Sequence, residues 1–391
     1  MPSEIWVGPS ETYKSLSSAI AAAKAGDTIY VRAGTYTNDW STITKPLTIV
    51  GVGGKAVLNS TGNISNGKAI LVTRADVTLE NIEFAGAKVS SHNGAGIRYE
   101  GGNLTIKNCY FHDNENGILG ANDPAGRITI QGSEFARNGY GDGYTHGIYV
   151  NDIAQLTVTD SYFHDTKVGH QIKSRAANTV IEGNTLTDGT SGNSSYLIDI
   201  PNGGNAVIRN NVLHKGAKAE NGAMIAFGME GPRATNSMLV EGNTFTSDLG
   251  GTTAVRNGTS ATVQLSGNVI NDPQITKIAT GPYKIVTQPT PVPANKAPVA
   301  GDDVAATIGT AAVKIAVLGN DRDPDGDALS LASVVKPAHG SVVVNADGTV
   351  TYKADAGYVG TDSFTYTVKD ARGATDSGAV KVTVGAAPAP E

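Results

Sequence analysis

The 391-residue chain has one cysteine, few aromatic residues, few charges and no basic run, and each shortage excludes a class of protein. Cys109 alone forms neither an intrachain disulfide nor a cysteine-based zinc site. Charged residues are 17% and aromatic residues 6%, which excludes a coiled coil and a charged disordered chain. A net charge of −6 gives no electrostatic footprint for nucleic acid or an anionic membrane. No run of ~18 apolar residues is present to span a bilayer.

The first residues, Met1-Pro2-Ser3-Glu4, also lack the basic and apolar segments of a secretory signal. The sequence therefore leaves three possibilities open. The protein is cytoplasmic, or its signal is not part of this chain, or it is exported by another route.

Glycine is abundant, with 48 residues, and the first three quarters of the chain contain an internal repeat. The repeat has six positions: an apolar residue, any residue, Gly/Asn/Asp, a small residue, any residue, and Leu/Ile/Phe. Its copies are 23 to 32 residues apart. Short alternating strands at this spacing favour the coils of a solenoid over propeller blades of ~40–45 residues. The asparagines at the fourth position predict a side-chain ladder between coils. The copies are LENIEF (79–84), IKNCYF (106–111), IQGSEF (130–135), VTDSYF (158–163), IEGNTL (181–186), IRNNVL (208–213), VEGNTF (240–245) and LSGNVI (265–270).

The segment that precedes the first coil predicts a cap. Residues 11–26 carry Leu16, Ile20, Ala23 and Lys24 at helical spacing, and GDTIYVRAGTY (26–36) follows as an extended run. A short amphipathic helix here would cover the open end of the solenoid.

The last quarter of the chain predicts a second domain. Residues 286–297 are proline-rich and read as an extended linker between a solenoid domain at 1–285 and a domain at 298–391. The second domain alternates short strands with turn signals, including a hairpin turn at Asp347-Gly348, which predicts a β-sandwich.

The helical cap, the GDTIYVRAGTY entry and the GN-type coils resemble right-handed parallel β-helices of the pectate-lyase-like superfamily. The resemblance covers residues 5–285 and implies an all-β fold: a right-handed parallel β-helix with an N-terminal helical cap, followed by the small β-sandwich. It further implies a protein acting on an acidic polysaccharide, typically a lyase, epimerase or hydrolase. The same scaffold also serves phage tail proteins and adhesins.

NDRDPDGDALS (320–330) and DSFTYTVKDARGATDS (362–377) resemble the cadherin-like or Ig-like repeats of bacterial surface and secreted proteins. This resemblance implies a secreted or cell-surface protein.

The same acidic loop has the spacing of a Ca²⁺ site. Its aspartates alternate along a loop that Pro324 stiffens and Gly326 opens, and carboxylate oxygens are the ligands Ca²⁺ prefers. A solvated acidic turn is the alternative. The predicted structural Ca²⁺ ligands are Asp321, Asp323, Asp325 and Asp327, with Asp302, Asp303 and Asp370 completing the shell.

Each coil has a second strand, and aligning these strands on a central Ile or Val predicts which side chains face outward. The residue after each central one must point out, because side chains alternate along a strand. Tyr149, Lys173 and Asp199 then form a contiguous row on strands ~4.8 Å apart. Asn151 and Arg175 form a parallel row two residues further on.

His146 and His170 occupy equivalent places at the start of two of these strands. A glycine-rich, aromatic insertion, NGYGDGYTH (138–146), precedes the row and predicts one wall of a groove. DIPNGGN (199–205) and FGMEGPR (227–233) are further long turns on the same side, although all three turns would also fit a surface without function.

Elimination or epimerisation of a uronate needs a cation at the carboxylate, a base for the adjacent proton and an acid. GYTHGIYVND (143–152) and VGHQIKSRA (168–176) are similar to groupings in β-helical alginate lyases and mannuronan C5-epimerases. That resemblance implies Lys173 or His146 as base, Tyr149 as acid, and Arg175 or His170 at the carboxylate. We further expect substrate binding by His170, Asp199, Asp142, Tyr144, Asn151 and Asp152.

Two other functions remain open from the sequence. A glycoside hydrolase needs two carboxylates ~5–9.5 Å apart, for which Asp142, Asp152 and Asp199 are candidates. A non-catalytic glycan-binding adhesin is the second alternative. Each side chain of the row also has a structural reading, such as a cross-strand ion pair between Lys173 and Asp199. The polar solenoid sides favour a monomer.

Overall fold

A computed structural model describes residues 3–286, 296–324, 327–345, 347–370 and 373–387. The chain divides into two compact units, residues 1–290 and 291–391. Most of the predicted linker, residues 287–295, lies outside the described residues.

The first unit is a parallel β-solenoid in which each coil contributes three short strands, so that the stack has three faces. The first face contains β1 (Glu4–Val7), β2 (Thr28–Thr37), β4 (Leu47–Asn59), β6 (Val77–Glu80), β9 (Asn103–Lys107), β12 (Asp123–Gln131), β15 (Ile153–Thr159), β18 (Asn178–Glu182), β21 (Asn205–Arg209), β24 (Ser237–Glu241), β27 (Val263–Ser266) and β29 (Tyr283–Val286).

The second face holds the repeated LENIEF-type segments and begins with the second halves of β2 and β4. It continues through β7 (Ile82–Ala85), β10 (Tyr110–His112), β13 (Glu134–Ala136), β16 (Tyr162–His164), β19 (Thr185–Thr187), β22 (Val212–Lys215) and β25 (Thr244–Ser247). The third face contains β3 (Ser41–Ile43), β5 (Ala69–Thr73), β8 (Ala95–Tyr99), β11 (Asn116–Gly120), β14 (Ile148–Val150), β17 (Ile172–Ser174), β20 (Ile198–Ile200), β23 (Ala223–Phe227), β26 (Thr252–Asn257) and β28 (Ile275–Thr280).

The corner between the first and second faces explains the third position of the repeat. All eight residues there have a positive φ, in the left-handed region that glycine, asparagine and aspartate tolerate best. The chain can therefore bend sharply once per coil at the same place. These residues are Asn81, Asn108, Gly132, Asp160, Gly183, Asn210, Gly242 and Gly267.

The fourth position of the repeat forms the predicted ladder. The Nδ2 atom of Asn184 donates to Oδ1 of Asn211, that of Asn211 to Asn243, and that of Asn243 to Asn268, at 2.9–3.0 Å. Inside the stack, the phenylalanines at the sixth position lie face to face with ring centroids 4.7 Å apart. Equivalent residues thus bury one another, as a solenoid requires.

The predicted short capping helix is present within residues 11–26. Helix α1 spans Leu16–Ala22 and buries Leu16, Ala19 and Ile20. Ser15 accepts the backbone N–H of Ser18 and so begins the helix, which ends where Ala23 becomes extended. The helical spacing therefore begins where the helix begins, at Leu16, and continues two residues beyond its end at Ala22.

The second unit contains two small sheets, and this agrees with the predicted β-sandwich. One sheet has the order β30 (Asp303–Ile308), β36 (Thr375–Gly385), β35 (Gly360–Lys369), β32 (Ser330–Val334); the other has β31 (Val313–Ile315), β34 (Val350–Ala354), β33 (Gly340–Val344). Gly348 adopts a φ of 79° in the turn between β33 and β34, as the Asp-Gly signal predicts.

The ladder allows a test of what holds the coils together. We expect Asn184→Ala to lower the free energy of unfolding of the solenoid by about 1–3 kcal/mol, because it leaves the buried Ser161 N–H and Val158 carbonyl without their partner. Urea unfolding followed by the fluorescence of Trp6 and Trp40, both in the solenoid, measures the change. The exposed Asn271→Ala is the control, and an equal loss in both variants would contradict the ladder's role.

Candidate functional site

The predicted row of ionisable side chains lies in register on the outer surface of the third face. Tyr149 pairs with Lys173 along the stack, and Lys173 pairs with Asp199. Ile148 and Ile172, which precede them, are paired in the same way and fully buried. The alternation deduced from the sequence is therefore the alternation in the structure.

Lys173 is the centre of this group, which we call the face-three cluster: His146, Tyr149, His170, Lys173, Arg175, Asp199 and Glu230. Its Nζ lies 3.3 Å from Oδ2 of Asp199 and 3.0 Å from Oε1 of Glu230. The second oxygen of Glu230 pairs with the guanidinium of Arg175. One carboxylate thus bridges two cations, Lys173 and Arg175.

Arg175 is fixed by several partners besides Glu230. Its Nε donates to the hydroxyl oxygen of Tyr149 at 3.0 Å, and its Nη1 donates to the side-chain oxygen of Asn202. Arg233 donates to the backbone carbonyl of Arg175 and pairs with Asp152. Since the Tyr149 oxygen accepts from a cation, its hydroxyl hydrogen is directed to another acceptor.

His146 and His170 lie side by side, with their ring planes tilted by 33°. Their ring centroids are 4.8 Å apart, and Tyr196 stacks on the outer face of His170 at 5.4 Å. Both histidines are almost completely buried. Nδ1 of His146 accepts the backbone N–H of His170 at 3.1 Å, so the neutral ring of His146 carries its proton on Nε2.

The ring of His170 lies between His146 and Asp199. Its Nδ1 is 3.1 Å from Nδ1 of His146, whose single lone pair already accepts the His170 backbone N–H. Its Nε2 is 3.6 Å from Oδ2 of Asp199.

Burial shifts the pKa values of these groups in opposite directions. Burial, with the charge of Lys173 second, lowers the pKa of His146 to about 3. Burial, with His146 second, lowers the pKa of His170 to about 2. Burial also raises the pKa of Asp199 to about 6, although Lys173 opposes it. Both histidines are therefore neutral at pH 7, whereas the carboxyl group of Asp199 titrates only slightly below that pH.

The remaining predicted residues lie around this cluster in different roles. Asp142 accepts the Tyr144 backbone N–H and the Thr145 hydroxyl, so it shapes its own loop. Tyr144 is 83% exposed at the tip of that loop. Asn151 is half-buried just after β14, next to the ion-paired Asp152.

Sequence reasoning missed Glu230, Asn202, Arg233 and Tyr196. The turns that carry three of them, 199–205 and 227–233, were noted as long turns on the correct side. No periodic signal singles out Glu230, because it reaches the cluster from a loop 57 residues after Lys173.

Comparison with known families bears on both units. Residues 49–213 match the family model described as right handed beta helix region, and residues 295–383 match the model described as bacterial Ig domain. The chain is a right-handed β-helix protein with a bacterial Ig domain. The fold class deduced from the repeat and from the resemblance is thereby confirmed.

No curated protein matches the β-helix protein. Among solved structures, it is similar to pectate lyase Pel9A with 15% identity and a TM-score of 0.44, over 74% of this chain and 78% of the other. It is also similar to open reading frame 18 of Geobacillus virus E2, with 14% identity and a TM-score of 0.40, over 92% of this chain and 81% of the other. A third match is a nucleoside hydrolase-related hypothetical protein from Saccharophagus degradans that is associated with carbohydrate metabolism. The identity is 15% and the TM-score 0.19, over 23% of this chain and 26% of the other. The chain spans about a quarter of the length of that last protein.

Among the residues that the structure describes, no helix has the length and apolar character needed to cross a membrane.

The aspartates of the predicted Ca²⁺ site divide into two groups. Carboxylate oxygens of Asp323, Asp327 and Asp370 lie within 4.8 Å of one another. Asp302 instead accepts the Ala379 N–H, and Asp321 accepts the Gly301 N–H and the Tyr366 hydroxyl. Asp303 begins β30, where burial, with Asp321 second, raises its pKa. Asp325 lies outside the described residues.

The pKa shifts of the face-three cluster predict a pH dependence of stability with two opposing signs. Below pH ~6.5 the unfolded chain protonates its histidines, whereas buried His146 and His170 stay neutral. The free energy of unfolding therefore falls as pH decreases from 6.5 towards 3, by up to ~1.4 kcal/mol per unit for each histidine. Asp199 acts oppositely: it binds a proton in the folded state first, so its contribution falls as pH rises from 4 to 6.

Urea unfolding of the wild type and two variants between pH 4 and 7 measures these slopes. We expect His146→Gln to flatten the dependence of stability on pH and Asp199→Asn to steepen it between pH 4 and 6. Parallel curves for all three proteins would rule out the assigned protonation states.

Proposed function

We propose that the face-three cluster acts on a uronic-acid polymer, by β-elimination or by C5-epimerisation. The observation that supports this most is the bridging carboxylate of Glu230. Lys173 and Arg175 hold it between two cations, which is the contact that the carboxylate of a uronate would need. A substrate carboxylate replacing that of Glu230 would have its charge neutralised where the reaction requires it.

The other members of the cluster supply the proton transfers. His146 cannot act as the base through Nε2, which carries its proton, whereas His170 protonated at Nδ1 would offer a free lone pair on Nε2. We therefore favour His170 over His146 as the base, with Lys173 and Arg175 as the cations. Tyr149 is the acid, since Arg175 occupies its oxygen and leaves its hydrogen to donate.

Loss of any of these groups should reduce turnover far more than stability. We expect Lys173→Ala, Tyr149→Phe and His170→Ala each to lower turnover of a polyuronate by at least ~10²-fold, the lower end of general acid–base effects. We expect the same of His146→Ala, because Nδ1 of His146 accepts the backbone N–H of His170 and so holds that residue in place. Absorbance near 235 nm on alginate, pectate and polygalacturonate detects elimination, and proton NMR detects epimerisation.

Matched controls are available outside the cluster. Tyr162→Phe, on the second face, matches Tyr149→Phe, and exposed Lys277→Ala matches Lys173→Ala. If Lys173→Ala retains full activity on the best substrate, the enzymatic assignment fails. If no glycan is turned over, a non-catalytic glycan-binding surface protein takes its place.

A specific observation favours glycoside hydrolysis as the second candidate. Asp199 and Glu230 both contact the same Lys173 nitrogen, at 3.3 Å and 3.0 Å, so their carboxylates are close together, which is compatible with the ~5–5.5 Å spacing of retaining glycosidases. Burial raises the pKa of Asp199 to about 6, whereas Arg175 and Lys173 outweigh burial and lower that of Glu230. Such divergent pKa values suit an acid and a nucleophile or base.

Glu230→Gln separates the two chemistries. A hydrolase loses its activity by at least ~10²-fold when the second carboxylate is removed. A lyase or epimerase keeps its turnover, and its KM falls because the two cations are no longer held by a side chain that substrate must displace. Reducing-end assays and absorbance near 235 nm on the same reactions distinguish these outcomes.

For the Ig domain we propose a structural Ca²⁺ ion bound by Asp323, Asp327 and Asp370, with Asp325 as a candidate ligand outside the described residues. Grouped carboxylate oxygens are the donors Ca²⁺ prefers, and three charges in one place favour a divalent cation. Calorimetric titration with Ca²⁺ should detect a site tighter than millimolar in the wild type. Asp323→Ala and Asp370→Ala should abolish it, whereas Asp302→Ala should not; absence of such a site in the wild type overturns the proposal.

A secreted or cell-surface location and a monomeric state remain predictions. The Ig domain supports the predicted location, because its sequence resembles repeats found in bacterial surface and secreted proteins.

A further inference from the structure

A cleft opens in the solenoid near the face-three cluster, at the corner between the second and third faces. Its volume is about 620 Å³, within the ~300–1,000 Å³ typical of small-molecule sites. It extends over five successive turns of this corner, from the turn before β5 to the turn before β17. The residues on which its chemistry depends are Lys88, His92, Glu115, Tyr140 and Lys167.

The cleft has an aromatic wall. Tyr140 stacks on His92 with ring centroids 3.9 Å apart and planes 13° apart, yet half of Tyr140 is exposed. His92 adopts a φ of 58°, a left-handed conformation uncommon outside glycine. A ring held flat on one side and open on the other presents an apolar surface for the C–H face of a sugar ring.

The charges around this wall favour an anionic ligand. Asp113 is neutralised by Arg137 at 2.9 Å and also lies 4.0 Å from Nζ of Lys167, and Glu115 is buried with its carboxylate accepting the N–H groups of Val89 and Gly94. Lys88 and Lys167 are both exposed on the cleft. Two lysines therefore face solvent, while both carboxylates are already engaged.

The chain connects this cleft directly to the face-three cluster. Lys167 lines the cleft and His170, three residues later, belongs to the cluster. Between them Val168 adopts a φ of 47°, a strained conformation for a β-branched residue. The loop 138–146 makes a second connection, because it carries Tyr140 near one end and His146 at the other. The backbone N–H of Tyr140 donates to the hydroxyl oxygen of Thr145 within this loop.

We propose that this cleft is a distal subsite for one acidic sugar unit of the polymer whose reacting unit lies at the face-three cluster. The ring of that unit stacks on Tyr140, and its carboxylate pairs with Lys88 and Lys167. The subsite deepens the proposed function and rests on it for the identity of the polymer. It predicts that long chains bind more tightly than short ones.

The test measures binding rather than turnover, in a Tyr149→Phe background that retains both cations, Lys173 and Arg175. Calorimetry gives Kd for polygalacturonate and alginate, and for an unsaturated or saturated uronate disaccharide. We expect Tyr140→Ala and Lys88→Ala each to raise the polymer Kd at least ~10-fold, the effect of ~1.4 kcal/mol, without changing the disaccharide Kd. Tyr140→Phe should bind as the parent does, because it keeps the stacked ring.

Tyr162→Ala is the matched control, since Tyr162 is also exposed and stacks on a histidine, His164, at 4.4 Å. An unchanged polymer Kd in Tyr140→Ala, an equal loss in Tyr162→Ala, or no polymer binding by the parent overturns the subsite. Polymer binding that depends on Tyr140, with no turnover by the wild type, upholds the subsite and overturns only the enzymatic proposal.

Discussion

The structure of the solenoid depends on in-register parallel stacking of its coils. Each strand is hydrogen-bonded to the equivalent strands in the coils before and after it. Where the same residue type recurs at one repeat position, its copies lie ~4.8 Å apart and must interact favourably with one another. Asparagine satisfies this by bonding to the next asparagine, and phenylalanine by stacking on the next phenylalanine. A like charge would repel its copy. Ionisable side chains therefore lie on the outer faces, or in the corners, or where neighbouring coils carry opposite charges.

The face-three cluster follows from the same constraint. Tyr149, Lys173 and Asp199 differ from coil to coil, so the register brings three unlike groups together without repulsion. Lys173 and Asp199 form a pair that the outer face alone would leave exposed to water, where such pairs contribute little. The loop with Glu230 covers them, and burial then gives Asp199 and the two histidines pKa values far from their ordinary ones.

Loops rather than strands distinguish this site from the rest of the third face. The corner after β20 brings Asn202 to Arg175, and the next such corner brings Glu230 to both cations. The corner before β14 raises Tyr140 against His92. Strand residues supply positions that the stack fixes, and the corner between the first and second faces carries the asparagine ladder, whereas the corners that flank the third face vary in length from coil to coil.

The repeat made the coils, the ladder and the outward row predictable, since strand alternation and coil spacing are local properties that a sequence displays. It also predicted that Tyr149, Lys173 and Asp199 are neighbours. Glu230, Arg233 and Tyr196 were not predictable, because their contacts span long separations and follow from the path of irregular corners. Protonation states belong to this second class. The sequence determined which residues stack; only the tertiary structure decided which of them are covered, and burial is what sets their charge.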